Sequence, residues 1–249
     1  MSAPLVIWSG LFFLSMFAAT YSTVVGGAAL LLIPALSFVG LPLITAIATV
    51  RLVSLFLQSV SIAAFAGKHD IAWKPALWTA FWSIPGGLVG AHIAISINPT
   101  VLAYIVGGLL LVLVALILPF NKHLLRQSHQ SRFFYAWMAA AALALGVYGG
   151  FYGASFSTFV MVLFVMLGGQ SLLVASGNSS VVSVALTLAV LPAFIRAGLV
   201  NWYFAVPLIA GGSIGAWYGV DIAIHKGFAW IKHLLVFVMI ASAIKLFFF

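Results

Sequence analysis

The sequence predicts an all-α integral membrane protein with about eight transmembrane helices in two homologous repeats, and three observations support this class. The 249 residues are 65% hydrophobic and only 5% charged, whereas soluble domains carry about 25% charged residues. Eight apolar runs approach the ~20 residues that cross a bilayer. Finally, features of the first half recur in the second half about 129 positions later.

The composition also excludes several classes of function. Nine of the ten Lys and Arg residues behind the net charge of +8 lie in or near breaks between apolar runs, as membrane topology requires. They form no basic stripe, so we expect no nucleic-acid partner. The chain has no cysteine, which rules out disulfides and Cys metal sites, and we expect neither a metal nor a cofactor.

The spans follow from the runs and from the residues between them. The first run is longer than the apolar core of a signal peptide, so we expect a retained helix. Gly40-Leu41-Pro42 separates the second span from the segment before it, and Asn98-Pro99 is typical of a helix start. The predicted spans are Ala3–Tyr21, Leu43–Ala66, Trp73–Ile97, Val101–Phe120, Phe133–Val147, Ser171–Ile195, Trp202–Ile222 and Phe228–Phe249.

Two further apolar runs are too short to cross a membrane. Gly26–Val39 follows the first span and Gly153–Leu167 follows the fifth, and a 14-residue helix reaches only about 21 Å. We predict broken or re-entrant half-helices at 26–39 and 153–167. Such breaks persist at membrane depth only when they are buried in protein or line a watery cavity. Short segments at matching places therefore indicate a transport site.

The repeat divides the chain into a first unit at 1–120, a basic polar linker at 121–132 and a second unit at 133–249. In each unit a tryptophan opens a helix that carries a GxxxG pair, and we expect these glycines to bring helices close together. The tryptophans are Trp73 and Trp202, and the glycines are Gly86, Gly90, Gly215 and Gly219.

These motifs resemble the sulfite exporter TauE/SafE family, also called the toluenesulfonate uptake permease family, over nearly the whole chain. The resemblance implies a multi-pass protein of the bacterial inner membrane that moves small, often sulfur-containing anions. The family's short segments are usually richer in glycine than those of this sequence, in which some of these positions are taken by Val25, Ala28, Ser155 and Ser157. Arg51 is not part of the family's pattern. The matching segments are 26–34, 40–42, 46–49 and 71–73 in the first half, and 148–153, 175–179 and 200–202 in the second.

Arg51 is the strongest candidate for a functional side chain. It lies about 12 Å into the run Leu43–Ala66, where a charge costs ~2.5–3.5 kcal/mol, and that run has no acidic residue. Helix N-termini at the two breaks would add positive potential. We predict an anion site, in which Arg51 offers a bidentate fork, made of Gly26, Gly27, Ala28, Thr49, Arg51, Gly153, Ser155, Ser157, Ser176 and Asn178.

Alternatives stay open for several of these residues. Arg51 could instead bind backbone carbonyls at a broken helix end or pair with Asp221. Thr49 and Arg51 also project about 200° apart on one helix, so they face different sides. Candidates for gating or proton coupling are Tyr148, Tyr152, His92 and Asp221, for which packing or interfacial roles also stay open.

The sequence therefore predicts a secondary transporter of sulfite, a sulfonate or a carboxylate, working by alternating access between two repeats. The alternatives are a passive anion channel and an intramembrane enzyme. The enzyme is disfavoured because no run contains a pair of acids or an HExxH motif. The expected partners are the anion and the lipid bilayer, and a homodimer stays open. The positive-inside rule does not choose between parallel and inverted repeats, because both arrangements put seven basic residues on one side and two on the other.

Overall fold

The computed structural model describes residues 2–67, 71–102, 104–106, 108 and 134–225. These residues form α-helices joined by short breaks, and they contain no β-strand. The helices are α1 (Ser2–Val25), α2 (Ala28–Phe38), α3 (Leu43–Ala66), α4 (Trp73–Ser96), α5 (Phe134–Phe151), α6 (Phe156–Gly168), α7 (Leu172–Arg196) and α8 (Trp202–His225).

Six of the eight predicted spans coincide with α1, α3, α4, α5, α7 and α8. The span Val101–Phe120 is described only at its start, where the chain is helical from Pro99 and Asn98 Oδ1 accepts from the N–H of Thr100 at 2.9 Å. The span Phe228–Phe249 and the linker 121–132 lie outside the described residues.

Four of the described helices are long and apolar enough to cross a membrane. These segments are Leu5–Thr23, Leu43–Ala66, Leu172–Arg196 and Trp202–Val220. Helix α4 is as long as α3, with 24 residues, but Lys74, His92 and several small residues make it less apolar. The described part of the chain is therefore all helical, and it contains helices suited to several membrane crossings.

The two predicted half-helices are present as α2 and α6, and both are shorter than expected. They contain 11 and 13 residues, or about 17 and 20 Å of helix. Each begins two or three residues later than predicted, because the residues just before it have positive φ and cannot join a right-handed helix. These are Gly26 and Gly27 before α2, and Gly153 and Ser155 before α6.

The helices pack in matching pairs that cross between the two halves. Helix α1 packs along α8, and α5 packs along α4 in the same way. The GxxxG glycines lie at these contacts. A Cβ on Gly86 or Gly90 would overlap the carbonyl oxygens of Leu143 and Val147 in α5. A Cβ on Gly215 or Gly219 would overlap the backbone of α1 at Met16 and Thr20.

The centre of the molecule is formed by α3 and α7, which pack on each other. The short helix α2 packs on α3, and α6 packs on α7. Both short helices are therefore covered by longer ones, and Leu32 and Val160 within them are fully buried. This arrangement buries the two broken segments in protein, as backbone breaks at membrane depth require.

Candidate functional site

The N-terminal ends of α2 and α6 meet. A Cβ built on Gly27 would lie 3.2 Å from Ser155 Oγ, and one built on Gly26 would lie 2.5 Å from Ser157 Oγ. The first N–H groups of a helix have no partner within it, and neither Gly27 nor Ser155 caps its helix with a side chain. Two helix N-termini, each carrying about half a positive charge, therefore converge on one place. Within them, the N–H groups of Leu30 and Phe156 bond back to the carbonyls of Gly27 and Gly153.

Two tyrosines fix these breaks in the same manner. Tyr21 donates to the carbonyl oxygen of Gly27 at 2.9 Å, and Tyr148 donates to that of Ala154. In each case donor and acceptor are six residues apart. Each bond joins the last part of the first helix of one half, α1 or α5, to the break that follows it. The sequence analysis named Tyr148 but missed Tyr21, although the two lie close to one repeat length apart.

A cavity of about 60 Å³ lies beside the meeting point. Its volume is several times the ~10–15 Å³ that a single water needs. Helices from both halves of the chain line it. The lining residues are Ser22, Gly27, Ala28, Ala29, Ile47, Val50, Arg51, Ser54, Leu57, Gln58, Gly149, Gly153, Ser155, Phe156, Ser157, Ser183, Leu186 and Thr187.

Arg51 lies against this cavity and is only 6% exposed. Its Nη2 atom donates to the carbonyl oxygens of Gly149 at 2.8 Å and Gly150 at 2.6 Å. These carbonyls belong to the last turn of α5, which carries about half a negative charge. The guanidinium carbon lies 4.9 Å from the ring centre of Phe194, within the range of a cation–π contact.

The Nε donor of Arg51 differs from Nη2. Nε is buried and has no hydrogen-bond partner among the described residues, and a buried unpaired donor is costly. Both two-donor edges of a guanidinium include Nη2, and here that atom holds the carbonyls of α5. The bidentate fork predicted from the sequence is therefore occupied in this conformation, while Nε is left over. Ser183 Oγ, which also lines the cavity, is a second buried and unpartnered group.

Six of the ten predicted site residues line the cavity. Gly26 lies next to them, against Ser157. The six residues are Gly27, Ala28, Arg51, Gly153, Ser155 and Ser157.

The other three predicted residues hold helices together. Thr49 Oγ1 accepts from the N–H of Asn201 at 2.9 Å, just before α8. Asn178 Oδ1 accepts from the N–H of Ala72 at 2.8 Å, just before α4. Ser176 donates to the carbonyl oxygen of Thr23 at 2.6 Å. Thr49 and Asn178 are 129 positions apart, as are Ala72 and Asn201, so this is one contact made twice across the halves.

The gating candidates are spread out. Tyr148 and Tyr152 pack edge-to-face, with ring centres 6.4 Å apart, and the Tyr152 hydroxyl is buried without a partner among the described residues. His92 is exposed on α4 and does not line the cavity. The backbone of Asp221 belongs to α8, but its side chain lies outside the described residues, and so does the predicted pairing with Arg51.

The sequence analysis missed four polar residues of the cavity wall that the repeat could have revealed. Ser54 and Gln58 follow Arg51 on the same face of α3. Their counterparts 129 positions later are Ser183 and Thr187 on α7, and all four line the cavity. The counterpart of Arg51 is Ser180, which instead donates to Gln58 Oε1 at 3.1 Å. The cavity wall is thus duplicated, but its charge is not.

No group of His, Cys, Asp and Glu able to hold a metal ion occurs among the described residues. The cavity offers an arginine, hydroxyl groups, an amide and backbone N–H groups. This set of donors suits an anion rather than a cation.

The family model for the sulfite exporter TauE/SafE matches residues 11–246. The chain belongs to the sulfite exporter TauE/SafE family. This confirms the resemblance seen in the sequence. It also makes the protein a member of a membrane transporter family, and a multi-pass membrane protein.

Named relatives agree with the TauE/SafE assignment. The chain is similar to a probable membrane transporter protein, ORF9, of Sinorhizobium sp., with 28% identity over 95% of this chain and 90% of the relative. It is similar to the probable membrane transporter protein YfcA of Escherichia coli strain K12, with 26% identity over 99% and 91%. A probable membrane transporter protein of Haemophilus influenzae is 24% identical over 95% and 92%. No solved structure matches the chain significantly.

Proposed function

We propose that this protein is a secondary transporter of a small anion, of the sulfite, sulfonate or carboxylate type, in the bacterial inner membrane. It would work by alternating access between two homologous repeats of four spans each. The observation that carries the proposal is Arg51, a buried arginine with a donor that has no partner among the described residues, at a cavity where two helix N-termini meet.

The cavity supplies what an anion needs when it leaves water. The N–H groups that open α2 and α6 provide donors and positive potential. Ser155, Ser157 and Ser183 add neutral hydroxyl donors on the wall. Arg51 adds a charge that is always present, since a guanidinium does not deprotonate in proteins.

The hydrogen bonds between Arg51 and α5 couple anion binding to the movement of α5 relative to α3. Nη2 joins α3, in the first half, to the last turn of α5, in the second half. An anion that takes a two-donor edge of the guanidinium must displace Gly149 or Gly150 from Nη2. Binding then weakens the tether between α5 and α3, and it favours a conformation in which the two helices are further apart. Such differential contact is what lets a ligand shift a conformational equilibrium.

The test is anion flux into vesicles that contain the purified protein. Arg51→Ala should lower uptake of sulfite or methanesulfonate at least tenfold, because the charge and its donors are lost. Arg196→Ala is the matched control, since Arg196 is exposed in the last turn of α7, and it should keep wild-type flux. Flux that survives in Arg51→Ala, with the variant folded and inserted, would contradict the proposal.

A passive channel is the main competing function. A carrier and a channel differ in their transport rate and in their response to substrate on the opposite side of the membrane. A carrier should show uptake that is stimulated by unlabelled anion inside the vesicles, because the loaded site returns faster than the empty one. Single-channel currents in a planar bilayer would instead favour a pore.

A further inference from the structure

The described lining of the cavity contains a single ionised side chain. Arg51 contributes one positive charge, and the other polar lining residues are neutral serines, a threonine and a glutamine. The equivalent position in the second half is Ser180, so the duplication does not supply a second cation. The helix ends that meet there attract anions, but each helix is a dipole without net charge.

The titratable groups near Arg51 are phenols. Tyr148 and Tyr152 lie at the end of α5 and just beyond it, on the side of Arg51 that faces Gly149 and Gly153. From α7, the neighbour of the guanidinium is the ring of Phe194, and from α3 Val50 and Ser54 line the same cavity. Phenols stay neutral near pH 7. Among the described residues that line the cavity or surround Arg51, therefore, no side chain gains or loses a charge around neutral pH.

We infer that the transported anion carries one negative charge when it binds. The charge of the anion, and not the protonation state of a protein side chain, then determines which substrates are accepted. The inference rests on the proposed function. A monoanion brings the formal charge of the described cavity lining to zero. A dianion leaves one uncompensated negative charge in a low-dielectric interior, and such a charge is expensive to bury.

The volume of the cavity and its apolar wall restrict the class of anion further. About 60 Å³ suits a head group of a few heavy atoms. The side chains of Ile47, Val50 and Leu57 give the cavity an apolar wall beside its hydroxyl groups. A small monoanion with a polar head and a short apolar substituent, such as methanesulfonate, fits both walls.

The test compares two ligands of the same shape but different charge. Methanesulfonate is a monoanion at all accessible pH values, whereas methylphosphonate changes from monoanion to dianion as pH rises through its second ionisation. Binding to the purified wild-type protein is measured by titration calorimetry on both sides of that ionisation. Methanesulfonate affinity should be the same at both pH values. Methylphosphonate affinity should approach it at the lower pH and fall at least tenfold at the higher pH.

Two variants separate the charge of Arg51 from its shape. Arg51→Lys keeps the charge, so it should bind more weakly but still prefer the monoanion. Arg51→Gln removes the charge and should bind neither ligand measurably. Arg196→Gln should behave as wild type.

Each outcome distinguishes the inference from the function beneath it. Equal affinity for monoanionic and dianionic methylphosphonate would overturn the inference and leave an anion transporter standing. A methanesulfonate affinity that changes severalfold with pH would also overturn it, because some protein group would then titrate with binding. If the wild-type protein binds neither ligand at any pH, the anion site itself fails, and the proposed function fails with it.

Discussion

Ser155 and Gly27 occupy equivalent positions in the two halves, although their side chains differ. Each is the residue just before a short helix, and each has a left-handed backbone, with φ of 59° at Ser155 and 90° at Gly27. Ser155 is the one residue other than glycine with positive φ in the described part of the chain. A residue with a Cβ is strained there by roughly 1–2 kcal/mol, and strain of this kind often marks a functional site.

The strain predicts an unusual result for Ser155→Gly. Glycine relieves the backbone but is more flexible in the unfolded chain, which costs about 0.5–1 kcal/mol, so thermal stability should be unchanged or slightly higher. Anion affinity should fall about tenfold, since a hydrogen bond to a charged group is worth ~1.5–3 kcal/mol. Thermal unfolding and calorimetry on the same sample measure both effects. A variant that is destabilised but binds normally would show that Ser155 serves the fold alone.

Arg51 shows what could be predicted at this scale and what could not. Its position in an apolar run was enough to single it out, because a buried charge is rare and costly. The alternative that it binds backbone carbonyls at a broken helix end is confirmed by its bonds to Gly149 and Gly150. Which carbonyls these would be could not be predicted, since every residue has a carbonyl and these two become specific only when α5 ends beside α3. Thr49 and Asn178 were predicted in the site for their side-chain donors, but the tertiary fold places them against the starts of α8 and α4.

Paired helices α1 and α8, and α5 and α4, show how small residues organise the elements. A methyl group on Gly215 would overlap the carbonyl oxygen of Met16 in α1. The hydrophobic effect does not drive helices together inside a bilayer, so close backbone contact of this kind has to hold them. The GxxxG spacing predicted which residues would do this, but not that the partner would be the first helix of the other half.

Gly215→Ala should therefore lower the stability of the protein by about 1–3 kcal/mol, the usual cost of overpacking. Gly10→Ala is the matched control, because it lies in α1, where a Cβ would meet nothing within 4 Å. It should be neutral, or stabilising by up to ~1 kcal/mol through helix propensity. Denaturant titration in detergent compares them. Equal midpoints for the two variants would contradict the packing that we describe.

At the scale of the whole molecule, contacts occur in pairs that cross between the halves. Thr49 of the first half holds the start of α8, and Asn178 of the second half holds the start of α4. Tyr21 and Tyr148 form a matching pair as well, but each holds the break within its own half. Each half therefore completes the other, and the cavity forms only where the two meet. The sequence offset predicted the duplication. The crossing could not be predicted, because either packing partner satisfies the same pattern.

Alternating access predicts that the cavity is reached from one side of the membrane at a time. The chain has no cysteine, so Ser54→Cys places a single thiol on the cavity wall. A membrane-impermeant thiol reagent should label it from one side, and anion should change that labelling at least severalfold. Ser59→Cys is the control, since Ser59 is exposed on another face of α3 and should be indifferent to anion. Labelling at Ser54→Cys from both sides at equal rates would indicate a pore.

The most direct test of the central claim is to locate a bound anion. Perrhenate is a tetrahedral monoanion with a heavy atom, so a structure of the protein with perrhenate would show its position without ambiguity. We predict one strong peak in the cavity beside Gly27 and Ser155, within hydrogen-bond reach of Arg51, with Nη2 no longer bonded to both Gly149 and Gly150. A peak elsewhere in the membrane region, or an empty cavity at saturating perrhenate, would contradict the account.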